Sequence, residues 1–430
     1  MTIPLIETAS QPDIKIFQEE KLREAIEYVA AHSPFYKSLF EREGIDGSTI
    51  KTIEDLQQIP VTTKEHLQEF NDDFLCVPKS KIVDYTTTSG TSGRPVTFGL
   101  TDKDLDRLAY NEAISFACSG IQEGDVVQLM TTIDRRFMAG LAYFLGIRKL
   151  KAGIIRVGAG VPELQWDSIL KYNPAYVITV PSFLLKLIEY AEAHGIDYNN
   201  SSIKGAICIG EPLRNQDFSP NILSNKINAN WDIKLYSTYA STEMATAFAE
   251  CEHLVGGHHH PELIIAEVLD EHDNPVTDGG NGELAVTTLG IEGMPLVRFK
   301  TGDIVQMHAE PCRCGRTTMR VGPVVGRKQQ MIKYKGTTLY PPAMIDLLRS
   351  FAEIQNHIIE ISTNDLGTDE IVIKAAAINP SNDLLVQIKD HFRAKLRVMP
   401  KIVFVSAEEL NAVMFNPMSR KPVNFIDNRG

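Results

Sequence analysis

The order of apolar and polar positions predicts three successive regions. Across residues 13–42, apolar side chains such as Phe17, Ile26 and Val29 recur at helical spacing, which predicts an amphipathic helix followed by a helical turn. From about residue 125, short apolar runs such as VVQLM, AYVITVPS and GAICIG alternate with helical stretches, a pattern typical of parallel strands with crossover helices. After residue 263, shorter runs separated by Asn-Pro and Gly-Gly turns predict an antiparallel subdomain.

A second boundary is predicted near the sequence VVGRKQQMIKYKG. The pattern beyond it predicts a unit of about a hundred residues, which suits an independent α+β lid. Its predicted order is a helix over 341–354, strands over 357–363 and 371–378, a helix over 383–396 and a strand over 402–405. We therefore expect an α/β fold, with a large N-terminal domain over residues 1–326 and a small C-terminal lid domain over residues 327–430. The large domain should combine mixed sheets, crossover helices and the antiparallel subdomain.

Composition narrows the function classes. The 430 residues carry a formal net charge of -12, which argues against broad binding to nucleic acid or to anionic membranes, because both require a positive field. No apolar run approaches the length of a membrane span, and the first residues lack a basic and then apolar leader, so we expect a cytoplasmic protein. The six cysteines in a chain of this length do not suggest a disulfide scaffold.

The stretch DYTTTSGTSGRPVTFGLT, residues 84–101, concentrates hydroxyl groups and glycines. Phosphate oxygens bind convergent N–H and O–H donors, and Gly90 and Gly93 would let the backbone approach closely. The stretch contains neither the Walker A pattern nor the dinucleotide Gly-x-Gly-x2-Gly pattern. Its composition alone fits a phosphate-binding loop and an ordinary polar surface loop equally well.

Five motifs in order resemble those of the adenylate-forming superfamily of acyl-CoA synthetases, adenylation domains and luciferases. They are SGTSGRP at 89–95, YASTE at 239–243, KTGD at 300–303, GR at 326–327, and Lys421. Within that superfamily, HSPFYKSLF, IPVTTKEHL and GEPLR resemble the phenylacetate-CoA ligase family in particular. The resemblance covers nearly the whole chain, and the joint order of the motifs makes it specific.

The resemblance implies a nucleotide-binding site and its catalytic residues. The residues implied to bind the nucleotide are Ser89, Gly90, Thr91, Ser92, Gly93 and Arg94 at the β- and γ-phosphates, Gly210, Glu211 and Pro212 at the adenine, Tyr239, Ala240, Ser241 and Thr242 in the YASTE turn, and Asp303 with Arg327 at the ribose. The residues implied to be catalytic are Glu243 as the Mg2+ ligand, Arg327, and Lys421, which would reach the carboxylate and the α-phosphate. The alternatives are a solvated acid for Glu243, a turn residue for Asp303 and a solvated terminal lysine for Lys421.

The implied activity is ATP-dependent conversion of a carboxylic acid, aryl or acyl and phenylacetate-like, to an acyl-adenylate with release of pyrophosphate. Coenzyme A would then take the acyl group and AMP would leave. Transfer to the phosphopantetheine of a carrier protein, or a nucleotide-binding regulator that has lost catalysis, are the alternatives. The lid would rotate at residues 328–330, where Lys-Gln-Gln replaces the family's usual Ser-Asp-Asp. The resemblance also implies a possible homodimer.

Cysteine and histidine residues suggest a structural zinc site. Cys251, Cys312 and Cys314 with one histidine would make a closed tetrahedral Cys3His set, and we expect these segments to meet across the antiparallel subdomain. A similar arrangement in some phenylacetate-CoA ligases favours His258 over its two histidine neighbours. The alternative is a set of reduced thiols beside a solvated histidine cluster.

The resemblance places the acyl pocket before Phe137, where phenylacetate-type members carry tyrosine and glycine. This chain has Asp134, Arg135 and Arg136 there. One hypothesis is that the substrate is not plain phenylacetate and that one arginine pairs with a polar or second acidic group. The alternative, that these charges face solvent or the phosphates of the coenzyme, is equally good.

Overall fold

The computed structural model describes residues 3–88, 95–276, 279–334, 337–364, 369–415 and 422–429. The α-helices in this part of the chain are α1 Gln11–His32, α2 Pro34–Glu43, α3 Lys64–Glu69, α4 Asp102–Cys118, α5 Met138–Lys149, α6 Pro162–Tyr172, α7 Pro181–Ala193, α8 Ile222–Asn228, α9 Pro341–Arg349, α10 Asn382–Leu396 and α11 Ala407–Met414.

The β-strands are β1 Asp84–Thr87, β2 Thr97–Leu100, β3 Val126–Leu129, β4 Gly153–Arg156, β5 Tyr176–Thr179, β6 Gly205–Ile209, β7 Lys234–Ser241, β8 Thr246–Ala249, β9 Gly257–His258, β10 Ile264–Leu269, β11 Gly282–Thr288, β12 Phe299–Val305, β13 Met307–His308, β14 Arg320–Val321, β15 Gly326–Arg327, β16 Ile332–Tyr334, β17 Thr337–Leu339, β18 Ile354–Thr363, β19 Asp369–Ala377, β20 Lys401–Phe404 and β21 Phe425–Asp427. None of the described helices combines the length and the apolar composition needed to cross a membrane.

The predicted N-terminal helix and the helical turn after it are the helices α1 and α2. α1 begins after Ser10, whose hydroxyl accepts a hydrogen bond from the Asp13 backbone, and it buries Leu22 and Ile26. It stops at Ser33 because the residue before a proline is disfavoured in helical geometry, and here Pro34 follows. Ser33 then serves as the N-cap of α2. Its hydroxyl accepts a hydrogen bond from the Tyr36 backbone, so the break leaves few backbone groups without a partner.

The largest sheet of the described chain has nine strands in the order β13-β14-β9-β8-β7-β6-β5-β3-β4. The run from β7 to β4 is parallel, with helices in the connections, as the alternating pattern predicted. β8, β9, β14 and β13 extend the sheet antiparallel. One core beside the sheet centres on Trp166 and Trp231, whose rings lie 5.5 Å apart between centroids. The predicted α/β fold is confirmed.

The predicted antiparallel region is also present. β10 and β11 pair antiparallel from Ile264 opposite Thr288 to Leu269 opposite Glu283. Asp270 shapes the turn after β10, because its carboxylate accepts hydrogen bonds from the backbone of His272 and Asn274.

The structure divides into two compact units, one of Met1–Thr301 with Val305–Pro323 and the other of Gly302–Ile304 with Val324–Gly430. The predicted domain boundary after residue 326 stays a prediction.

The second unit contains the predicted helix-strand-strand-helix-strand order as α9, β18, β19, α10 and β20. Helix α9 ends at Arg349, short of the predicted residue 354, because Ile354 already begins strand β18. The sheet order is β20-β19-β18-β21, and the pattern had not predicted α11 or β21.

Candidate active site

Two of the predicted nucleotide-binding segments lie at the same edge of the nine-stranded sheet. β6 and β7 are parallel neighbours, with Ile209 opposite Thr238, so their carboxyl ends lie side by side. Gly210 follows β6 with a φ of 79°, and the YASTE residues end β7 and begin the next turn. The carboxyl edge of an open α/β sheet is the usual position of a ligand site. The structure therefore brings residues 210–212 and residues 239–243 together.

Glu211 holds the turn after β6 in place. Its carboxylate accepts a hydrogen bond of 2.9 Å from the backbone of Ser182 in the first turn of α7. A carboxylate at a helix N-terminus is favoured by the helix dipole and by the unpaired N–H groups there. This contact orients the predicted adenine-binding peptide groups of residues 210–212.

A buried ion pair fixes the rest of the GEPLR motif. The Arg214 guanidinium donates to both carboxylate oxygens of Glu250 at 3.3 Å and to the carbonyl of Leu235 at 2.6 Å. Glu250 also accepts from the backbone of Ser237 at 2.8 Å. Burial raises the pKa of Glu250, and the charge of Arg214 opposes that rise. The pair ties the loop after β6 to β7, and the sequence alone gave this arginine no role.

Glu243, the predicted Mg2+ ligand, lies in the turn after β7 with its side chain only 12% exposed. The Lys64 ammonium, at the first position of α3, lies 3.7 Å from a Glu243 carboxylate oxygen. Glu243 is thus mostly removed from solvent and already lies beside a positive charge. These two features distinguish it from a solvated surface acid. Lys64 belongs to the IPVTTKEHL motif, but no spacing rule links that motif to a residue so distant in the chain.

Arg107 holds the far side of the Glu243 turn. This buried guanidinium donates to the carbonyl of Ala245 at 2.7 Å and to the hydroxyl of Thr246 at 3.1 Å. Ala245 has a φ of 46°, a strained value for a residue with a side chain. Arg107 also donates to the carbonyls of Leu263 and Leu289. Burial lowers its pKa to about 10, so it remains charged at neutral pH. A single arginine within a helix pattern gave no signal of this contact.

Asp303 and Arg327, the predicted ribose-binding pair, are neighbours in the second unit. They lie opposite each other on β12 and β15, and the Arg327 Nε donates to Asp303 at 3.3 Å. The Asp303 side chain is 12% exposed and that of Arg327 is 47% exposed. An ordered carboxylate beside a guanidinium matches the donor and acceptor groups that a sugar diol requires. The lysine of the KTGD motif, Lys300, instead pairs with Asp273 and Glu283.

The predicted phosphate-binding residues Ser89, Gly90, Thr91, Ser92, Gly93 and Arg94, and the predicted catalytic Lys421, lie outside the described residues. The strands on either side of the loop are described. β1 and β2 pair antiparallel up to Thr87 opposite Thr97, and Thr88 and Val96 exchange two hydrogen bonds of 3.0 Å beyond that pair. The described residues next to the hydroxyl-rich segment are therefore paired, Thr88 on one side with Val96 on the other.

The charged segment before Phe137 forms a tight turn. Arg135 and Arg136 have φ values of 58° and 57°, and the Phe137 N–H donates to the carbonyl of Asp134 at 3.2 Å. Two consecutive residues in the left-handed region are costly for side-chain-bearing residues. The Arg136 carbonyl accepts from Thr87, at the end of β1, at 3.0 Å. The two arginines are exposed beside the hairpin that carries the predicted phosphate loop.

The four predicted zinc ligands converge. The ligand atoms of Cys251, His258, Cys312 and Cys314 all lie within 4.8 Å of one another. Cys251 Sγ and Cys312 Sγ are 3.6 Å apart, and Cys314 Sγ and His258 Nε2 are 3.5 Å apart. Tetrahedral zinc with ordinary bond lengths would separate two sulfur atoms by about 3.8 Å and a sulfur from a nitrogen by about 3.6 Å. These two distances therefore match the spacing of ligands in tetrahedral zinc.

The location of these four residues differs from the expectation. Cys251 follows β8 and His258 lies on β9, so the cluster sits at the antiparallel end of the nine-stranded sheet and not across the β10 and β11 hairpin. The misplacement arose because strands as short as β9 leave almost no period-two pattern in a sequence.

Of the three consecutive histidines, His258 is the one directed at the cysteines. Its other ring nitrogen lies 3.3 Å from the Thr318 hydroxyl, and a contact of this kind orients the ring of a metal-binding histidine. His259 donates to the carbonyl of Ile264, and His260 contacts Glu7 and Ser115. Burial lowers the pKa of His258, which favours the neutral form that binds metal.

One of these cysteines, Cys314, is polarised toward the thiolate form. A hydrogen bond from Cys251 lowers the pKa of Cys314, and the contact with His258 lowers it further. The same bond raises the pKa of Cys251, which keeps its proton. A thiolate beside thiols and an imidazole is a donor set that zinc selects.

Comparison with known proteins agrees with this geometry. The family model described as AMP-binding enzyme matches residues 20–292, more than half of the chain. The chain belongs to the AMP-binding enzyme family. Its predicted place in the adenylate-forming superfamily is thereby confirmed, as is the predicted class of AMP-forming acid–thiol ligase.

Among individual relatives, the chain is 28% identical over 382 residues to the phenylacetate-coenzyme A ligase of Thermus thermophilus, covering 88% of this chain and 84% of that one. It is 25% identical over 410 residues to the phenylacetate-coenzyme A ligase of Escherichia coli, covering 92% and 90%. A solved structure of 2-hydroxyisobutyryl-CoA ligase in the postadenylation state has a TM-score of 0.85 at 24% identity, covering 99% of this chain and 92% of that one. This last likeness establishes the fold.

Proposed function

We propose that this protein activates a small carboxylic acid with ATP as an acyl-adenylate and transfers the acyl group to coenzyme A. The observation that carries the proposal is the grouping of the adenine-binding turn, the YASTE turn and the Glu243–Lys64 pair at the carboxyl edge of β6 and β7. Adenylation requires the carboxylate to be aligned with the α-phosphorus while the charge on the phosphates is neutralised. The grouped residues offer a base-binding turn, a carboxylate for a divalent cation and an ammonium group.

The proposal gives a role to each of the predicted phosphate-, metal- and ribose-binding residues and to Lys64. Glu243 would hold Mg2+, a hard cation that selects carboxylate oxygen, and Lys64 would add positive charge beside it. When bound, Mg2+ supplies charge neutralisation at the phosphates. Asp303 would accept the ribose hydroxyls, and Arg327 would donate to the same sugar. The loop of residues 89–94 would bind the β- and γ-phosphates, and Lys421 would reach the carboxylate and α-phosphate as they react.

The test is acid-dependent exchange of labelled pyrophosphate into ATP across aryl, hydroxy and dicarboxylic acids. We expect exchange with at least one acid, and we expect an acid with a second polar or anionic group to surpass phenylacetate, because Arg135 and Arg136 border the predicted pocket. Clear preference for phenylacetate would remove the arginine hypothesis. Nucleotide binding without exchange on any acid would favour a regulator over an enzyme.

A thioester assay with the best acid identifies the acceptor. Free coenzyme A and a phosphopantetheinylated carrier protein present the same thiol, so only the yield of thioester from each distinguishes them. We propose coenzyme A, because the two relatives described above, from Thermus thermophilus and Escherichia coli, are named phenylacetate-coenzyme A ligases.

We further propose that Cys251, His258, Cys312 and Cys314 bind a structural zinc ion. Four protein ligands in near-tetrahedral spacing, three of them buried, match a closed site with no position for a substrate. The zinc would join the loop of residues 312–314 to the end of β8 and to β9.

Metal analysis of protein purified without a polyhistidine tag tests the zinc proposal. We expect about one zinc per chain in the wild type and little in Cys312→Ser, because loss of one ligand opens the tetrahedral set. Cys76→Ser is the matched control, since Cys76 is buried outside the metal cluster. Wild-type protein without zinc after purification in zinc-containing medium would contradict the proposal.

A further inference from the structure

The N-terminal segment contains a fully buried acid that the proposed reaction does not use. Glu7 lies in the 3-10 turn Leu5–Thr8 and has no solvent-exposed surface. Its two carboxylate oxygens accept hydrogen bonds of 2.6 Å from His260 Nδ1 and from Arg316 Nε. A buried carboxylate is tolerated only when it is paired in this way.

Arg316 connects this acid to the metal cluster. While its Nε donates to Glu7, its Nη1 donates to Cys314 Sγ at 3.6 Å. With three thiolates, a neutral histidine and Zn2+, the filled cluster would carry one net negative charge. The Arg316 guanidinium would therefore lie between two negative groups, which is the arrangement that its planar, multiple donors favour.

The backbone strengthens the same connection. The Thr317 N–H donates to the carbonyl of Glu7 at 2.9 Å, and the Thr317 hydroxyl donates to the carbonyl of Ala9 at 2.6 Å. Gln11, at the start of α1, donates to the carbonyl of Thr317. Two consecutive residues of the cysteine-bearing loop, Arg316 and Thr317, thus hold the N-terminal segment and the first turn of α1.

We propose that Arg316 and Glu7 couple metal binding in the Cys3His cluster to docking of the N-terminal segment, residues 3–9. A metal fixes the loop of residues 312–314, the fixed loop positions Arg316 and Thr317, and these residues hold the segment. The coupling is reciprocal, so the docked segment strengthens metal binding by the same factor. The inference rests on the proposed zinc site and makes Arg316 and Glu7 positioning residues for it.

Hydrogen exchange of the full-length wild type, with zinc and after removal of zinc by a chelator, tests whether metal binding holds the N-terminal segment. We expect faster exchange at residues 5–11 and at residues 312–318 after zinc removal, with exchange in α10 of the second unit unchanged. Protection of the N-terminal segment that does not respond to zinc would overturn the coupling. No substitution is needed, so misfolding of a variant cannot obscure the result.

Zinc competition with a chromophoric chelator tests whether the docked segment strengthens metal binding. We expect Glu7→Gln to weaken zinc binding about 10-fold to 100-fold, the effect of disturbing a residue that orients a metal ligand, because Glu7 positions Arg316 beside Cys314. Glu112→Gln is the matched control, because Glu112 is also buried and pairs with Asn111 outside the metal cluster. Equal zinc affinity in wild type, Glu7→Gln and Glu112→Gln would overturn the coupling while leaving the zinc site intact. Absence of zinc from the wild type would instead remove the site itself.

Discussion

Replacing Glu243 with glutamine should lower the rate of acid-dependent ATP–pyrophosphate exchange on the order of 100-fold to 1,000-fold, as expected when one preorganised electrostatic contact to a reacting group is lost. Glutamine keeps the size and one acceptor oxygen but removes the negative charge. The side chain is mostly buried and lies beside Lys64, so the charge of the carboxylate is little screened by solvent. We also expect half-maximal activity to require more Mg2+ in the variant.

Glu69→Gln is the matched control, because Glu69 is an exposed residue of α3, the same helix that carries Lys64. It should retain wild-type exchange at every Mg2+ concentration. If Glu243→Gln retained wild-type exchange and the same Mg2+ dependence, then the turn after β7 would not hold the metal.

Replacing Arg214 with methionine should destabilise the first unit by about 3–5 kcal/mol, the usual cost of removing one partner of a buried ion pair. Both side chains are almost fully buried, and Glu250 would keep only its backbone donors. This loss is measured by denaturant unfolding, from the transition in which the nine-stranded sheet unfolds. The double variant Arg214→Met with Glu250→Leu should recover much of it, because no unpaired charge then remains.

The effect of Arg214→Met should depend on pH. Burial raises the pKa of Glu250 and Arg214 opposes the rise, so the pKa should rise further in the variant. A carboxyl group whose pKa is higher in the folded state contributes stability that is fully present below its unfolded pKa of about 4.3 and lost as pH rises. The loss in free energy of unfolding of Arg214→Met relative to wild type should therefore shrink toward pH 4 and grow toward pH 7. A deficit that is largest at low pH would contradict this origin.

Much of the fold could be predicted because its strands are buried on both faces and appear as continuous apolar runs. The sequences of β5 and β6 are examples, each bounded by helical stretches that predicted the crossovers. The convergence of Cys251, His258, Cys312 and Cys314 was predictable for a different reason, since cysteine and histidine in this combination are a common zinc ligand set. Its location was not, because β9 and β14 are only two residues long.

The contacts that position the site could not be predicted from periodicity. Lys64 meets Glu243, and Arg107 meets Ala245, only after α3 and α4 pack beside the turn that follows β7. Such pairs depend on tertiary packing between residues distant in sequence, and a lone lysine or arginine in a helical pattern is usually solvated. The left-handed backbone at Arg135 and Arg136 was likewise unpredictable, since arginine has no preference for it.

The most direct measurement of the proposed reaction is the yield of AMP and of acyl-CoA in one mixture of the best acid, ATP, Mg2+ and coenzyme A. A ligase that transfers the acyl group to coenzyme A should form one acyl-CoA for each AMP, with neither product when the acid is omitted. Acid-dependent AMP without acyl-CoA, or ATP binding without AMP, would contradict the proposed function.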